Sequence, residues 1–77
     1  MSKPATLADL APGQASTVRA IRGTGATAIR LMEMGLVPGT EVHVLKYAPL
    51  RDPLELRVRG FHLSLRRAEA AMVEVSA

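Results

Sequence analysis

The 77-residue chain has no cysteine and no tryptophan, one phenylalanine and one tyrosine. Without cysteine there is no disulfide, no thiolate metal site and no thiol nucleophile. Without a set of aromatic side chains there is no platform on which to stack nucleic-acid bases. No apolar run approaches the roughly 18 residues that would span a bilayer. The N-terminal "MSKPATLADLAPG" has one lysine and no continuous apolar stretch, so it does not read as a secretory signal. No block of like charge occurs either. Ten Lys/Arg against seven Asp/Glu give a net charge of +3 and a sequence pI near 10.2, and few charges move the pI of so short a chain far. A soluble, unexported, cytoplasmic protein is the expectation.

What is present is aliphatic: ten Leu, seven Val and two Ile. The length allows one domain over residues 1–77, with residues 1–6 expected to be a disordered tail. Gly and Pro recur at short intervals, the punctuation of short strands joined by tight turns. "LAPGQ" and "LVPGT" are each a type II turn feeding a strand: Pro presets φ at the second position and Gly takes positive φ at the third.

Strands are expected over Ser16 to Arg22 and Thr40 to Tyr47. Between them lies a helix capped by Thr24, with Ala28, Ile29, Leu31 and Met32 on an apolar arc. Leu31 and Met32 are better read as core. Gly35 ends this helix in the left-handed conformation, and Pro38-Gly39 turn the chain into the next strand. "APLRDP" is a loop. A hairpin follows, with a two-residue type II′ turn at Gly60-Phe61. That turn pairs Val58 with Leu63 and Leu56 with Leu65 inside, and Glu55 with Arg66 outside. "RRAEAA" is one helical turn and "MVEVS" a last short strand. The sum is a mostly β fold: a small five-stranded β-barrel with one inserted α-helix and a short C-terminal helical turn.

No catalytic constellation emerges. His43 and His62 sit at outward strand positions with no His-x-x-x-His or tight carboxylate cluster, so solvated histidines are the better reading and no metal ligand is assigned. Ser64 shares a face with His62 but lacks a nucleophile elbow. The glycines form neither a dinucleotide fingerprint nor a phosphate-binding loop. Arg57, Arg59 and Arg66 on the hairpin's outer side, with Arg67 just beyond, offer a phosphate or acidic-partner patch, but read first as a solvated face that discourages edge pairing. Met34 and Val37 are the apolar residues expected to be displayed at the helix–strand joint, and Met is over-used at binding surfaces.

The motifs "LMEMGLVPGTEV", "APLRDPLELRVRG", "LSLRRAEA" and "VEV", together with the upstream "LADLAPGQ…VRAIRG", resemble the FeoA family of bacterial ferrous iron uptake over Leu7 to Val75. The resemblance implies an SH3-like barrel and a cytosolic, non-catalytic accessory of FeoB, the ferrous iron permease with a guanine-nucleotide-binding domain. It implies no cofactor, no nucleic acid, and contact with the membrane only through the transporter. Leu31, Met34, Leu36, Val37, Tyr47 and Leu50 are the expected partner-binding residues. Gly35, Pro38, Gly39 and Gly60 serve as structural turns. The helix, the Gly35–Gly39 joint and the "YAPLRDP" loop are expected to form one face. Nucleic-acid binding and metal-ion binding remain the alternative classes for such a barrel.

Overall fold

A computed structural model describes residues 5–76. Six strands alternate with short helical segments: β1 (Ala5–Thr6), β2 (Ala15–Ile21), α1 (Ala26–Glu33), β3 (Glu41–Tyr47), β4 (Leu54–Val58), β5 (Phe61–Leu65), α2 (Arg67–Ala70) and β6 (Val73–Val75). Single 3-10 turns cover Leu7–Asp9 and Pro49–Arg51. Neighbouring strands lie in the order β1-β6-β2-β3-β4-β5, all antiparallel.

β2 explains how so small a sheet encloses a core. Its first half, Ala15 to Thr17, pairs with β3, and its second half, Val18 to Ile21, pairs with β6, with a register shift between Val18 and Ala20. A bulge there leaves one residue unpaired and sharpens the local twist, so the strand bends from one half of the sheet into the other. One cluster results: Leu7, Val18, Leu31, Leu36, Val42, Val44, Leu54, Leu56, Val58, Leu65, Ala70, Val73 and Val75 are all buried. Strand alternation supplies most of them, since every second residue of β3, β4 and β6 faces inward. The expected mostly β architecture with an inserted helix and a C-terminal turn is observed. Strand pairing leaves β1 and β5 as edges rather than closing the sheet.

Several expectations are corrected. A sixth strand exists, because Ala5 and Thr6 pair with Val75 and Glu74. The expected tail therefore does not extend to these two residues, and residues 1–4 lie outside the described residues. The residue before α1 is Gly25 at φ 96°, not Thr24, and it gives no side-chain cap. The hairpin turn is Arg59-Gly60, at φ 52° and 82°. Positive φ at both central residues is the type I′ requirement, whose twist matches the flanking strands. Moving the turn back one residue shifts the register by two: Val58 faces Phe61, Leu56 faces Leu63 and Leu54 faces Leu65. Because the shift is even, the buried face is unchanged. Glu55 now lies opposite Ser64, and Arg66 has left the strand to precede α2.

The joint after α1 follows the expected chemistry. The Gly35 N–H donates to the Met32 carbonyl and the Leu36 N–H to the Leu31 carbonyl, with Gly35 at φ 101°. These paired bonds define a Schellman ending. The Thr40 N–H then donates to the Val37 carbonyl at 3.1 Å, closing the Pro38-Gly39 turn with Gly39 at φ 91°.

Candidate functional site

β3 organises the surface. Its N-terminal end receives the Gly35–Gly39 joint, and its C-terminal end runs into the 48–53 loop. Six extended steps from Glu41 to Tyr47 put these regions about 20 Å apart. The helix–strand joint and the loop, expected to share one face with the helix, therefore sit at opposite ends of β3. The two candidate regions are separate.

The loop end is built around Tyr47. Its hydroxyl donates to the Leu10 carbonyl, and two guanidinium groups stand over its ring, Arg67 at 5.1 Å and Arg51 at 5.5 Å from the centroid. Cations over an aromatic face are attracted by the ring quadrupole. Arg67 does more than stack. Its Nε donates to the Arg51 carbonyl at 2.9 Å, its Nη1 to the Ala8 carbonyl at 2.8 Å, and its backbone N–H to Asp52 Oδ1 at 3.1 Å. One side chain thus ties α2, the Leu7–Asp9 turn and the loop. The loop closes on itself through Ala48 N–H to the Pro53 carbonyl at 2.9 Å. At its tip Leu50 is 96% exposed and sits at φ 67°, followed by Arg51 at φ 65°.

Glu69 joins α2 to α1. One of its oxygens accepts from the Arg66 backbone N–H at 3.0 Å, capping α2, while the other pairs with Arg30 on α1. On α1 the expected core role of Met32 is not met. Met32 is 41% and Ile29 54% exposed, because an eight-residue helix buries only the stripe carrying Ala28 and Leu31.

The six expected partner-contact residues divide sharply. Leu31 and Leu36 are 0% exposed and belong to the core, since the Schellman ending folds Leu36 back onto the last helical turn. Neither offers surface to a partner. Met34 and Val37 are half-buried at the joint, with Met34 packed against the core. Tyr47 is half-buried inside its clamp, and only Leu50 is fully displayed. Leu50 was legible from its Pro-bounded loop. Arg67 was legible only as one of several hairpin arginines, because its role depends on carbonyls distant in sequence.

Among the described residues no group of three or more His, Cys, Asp or Glu converges as a metal site. His43 Nε2 lies 3.3 Å from Glu41 Oε1 on the outer face of β3.

A small, mostly β domain of antiparallel strands with one helix inserted between β2 and β3 has the architecture of the SH3-like modules, and comparison with known proteins agrees. The FeoA domain model matches residues 5–77. The Fe(2+) transport protein A/Fe(2+) transporter FeoB fusion protein of Porphyromonas gingivalis is 39% identical over 69 residues, which cover 90% of this chain and 8% of the fusion. The chain therefore spans a small part of that relative's length. The solution structure of a FeoA-like protein from Clostridium acetobutylicum is 35% identical at a TM-score of 0.90, covering all of this chain and 90% of that one. FeoA of Stenotrophomonas maltophilia, described as a prokaryotic SH3-domain protein and complexed with zinc, is 32% identical at a TM-score of 0.83, covering 92% and 88% of the two chains. The chain belongs to the FeoA family.

Proposed function

We propose that this protein is a non-catalytic accessory of bacterial ferrous iron uptake that acts in the cytoplasm by docking on the cytosolic GTP-binding domain of a FeoB-type transporter. The observation that carries the reading is the fusion relative, in which a stretch 39% identical to this chain shares one polypeptide with FeoB. Two domains joined in one chain meet at a high effective concentration, an arrangement suited to partners that work in contact. The tip of the 48–53 loop is the docking element in this reading. Leu50 is wholly exposed in a left-handed conformation, so it gains nothing from packing and bears a backbone cost. Burial in a partner would recover the transfer energy of a leucine side chain, about 1.5–3 kcal/mol.

The test is anaerobic capture of this chain by the cytosolic half of the transporter, with and without guanine nucleotide. Leu50→Asp is the informative variant, because Asp tolerates positive φ better than Leu and the side chain it replaces is exposed rather than packed in the core. Met34→Asp would place a carboxylate against the core and confound binding with unfolding. We expect the native chain to be retained and Leu50→Asp to lose about tenfold or more in affinity, the scale of one buried anchor. Equal retention of the two folded chains would overturn the assignment of the loop. A contact centred on Leu50 also depends little on salt, whereas nucleic-acid binding falls steeply with it.

A further inference from the structure

The far end of β3 carries a second, differently built surface. There the Pro38-Gly39 and Arg59-Gly60 turns flank an open concavity of about 330 Å³. Thr40, Glu41, His43, Arg57 and Arg59 line it. The register places His43, Arg57 and His62 directly opposite one another on three adjacent strands.

The charges here are poorly matched. Arg22 pairs with Glu74 at 2.8 Å and Arg30 with Glu69, while the chain's other arginines form no carboxylate pair among the described residues. Among the described residues neither Arg57 nor Arg59 pairs with a carboxylate. Arg59 instead donates from Nη2 to the Thr40 hydroxyl at 3.2 Å, a neutral acceptor at the cavity wall. Glu41, the acidic residue in the lining, lies against His43.

Arg59 also occupies a position that local chemistry assigns to other residues. The first central position of a type I′ turn requires positive φ and favours Gly, which has no Cβ to crowd the carbonyl oxygen, or Asn and Asp, whose short polar side chains hydrogen-bond locally. Arg59 is held at φ 52°. Backbone strain at a non-glycine residue points towards function where the side chain has a task.

We propose that this concavity is an oxyanion site for a phosphate group, with Arg57 and Arg59 as its ligands and the Thr40 hydroxyl as the stop that aims Arg59. Two guanidinium forks supply more N–H donors than one carboxylate can accept, while a phosphate has oxygens for both. No Phe, Tyr or Trp lines the cavity, so the ligand feature argued here is the phosphate and not a base.

The site is tested by titrating the isotopically labelled chain and following the backbone and guanidinium resonances of Arg57, Arg59, Gly60 and His43. Inorganic phosphate is one arm, guanosine monophosphate a second, and chloride at matched ionic strength the reference. Saturable shifts with phosphate beyond chloride support the site. Similar half-saturation by the monophosphate assigns free phosphate as sufficient, and tighter saturation assigns a phosphate ester. Arg57→Gln and Arg59→Asn should each weaken binding about tenfold or more, the scale of a charge-assisted pair. Arg22→Gln should leave it unchanged. Arg59→Asn should also raise the melting temperature, since Asn-Gly is the favoured type I′ pair. Shifts no larger than those with chloride would overturn the proposal, as would unaltered binding by Arg59→Asn. Saturation by a polyglutamate peptide where phosphate has no effect would overturn it in favour of an acidic protein partner.

Discussion

The two ends of β3 are finished by opposite means. At its start, the backbone closes the turns: Gly35 and Gly39 take positive φ, and carbonyls and N–H groups close a Schellman ending and a type II turn. At its end, side chains do it, with Arg67 and Arg51 gripping Tyr47 and Arg67 reaching three segments of chain. Both ends nevertheless hold residues in conformations they resist. Among the described residues, the three non-glycine residues at positive φ are Leu50, Arg51 and Arg59. Leu50 and Arg51 stand at one end, and Arg59 reaches Thr40 at the other. One end offers an apolar tip and the other a charged hollow, so a single strand separates two surfaces of contrasting chemistry.

Substitutions at each end should break this contrast in graded steps. The largest effect is expected from Leu36→Ala, where removing a fully buried side chain beneath the joint should cost about 2–5 kcal/mol, measured by denaturant unfolding. Gly35→Ala comes next. A Cβ there meets only Val58 Cγ1 at 3.8 Å, an ordinary contact, so the cost is backbone strain of about 1–2 kcal/mol. At the loop end Tyr47→Phe keeps the ring beneath both arginines and removes only the hydrogen bond to Leu10. It should cost about 0.5–1.5 kcal/mol, with faster amide exchange confined to the segments the clamp joins. A stability loss for Tyr47→Phe matching that of Leu36→Ala would mean that the two ends are not distinct in kind.

What the sequence made legible was local. The two Pro-Gly turns, the Gly35 ending, the inward faces of β3, β4 and β6, and the C-terminal helical turn all follow from near-neighbour chemistry. The hairpin register was missed because "RGF" carries one glycine that serves either of two turn types, and sheet twist selects Arg59-Gly60. β1 was missed because two residues carry no periodicity, and its existence depends on β6, some 70 residues away. Leu36 was assigned to the partner surface although the Gly35 ending already places it to meet Leu31, and that ending turns it fully inward. Sequence grouped Arg57, Arg59 and Arg67 on one side of the hairpin, but the Arg67 clamp and the hollow beside Arg57 and Arg59 were not legible. Each depends on which carbonyls, or which neighbouring strand, tertiary structure delivers to a guanidinium.

The pairing of Ala5 with Val75 has a mechanical consequence. The first and last strands described lie side by side, with Ala5 opposite Val75, as the two ends of a loop of rope do at its knot. A larger protein joined at either of these points would hold the domain by one pivot. The domain could then swing as a body without stretching its own sheet, so a covalent tether and a reversible contact need not compete for the same elements.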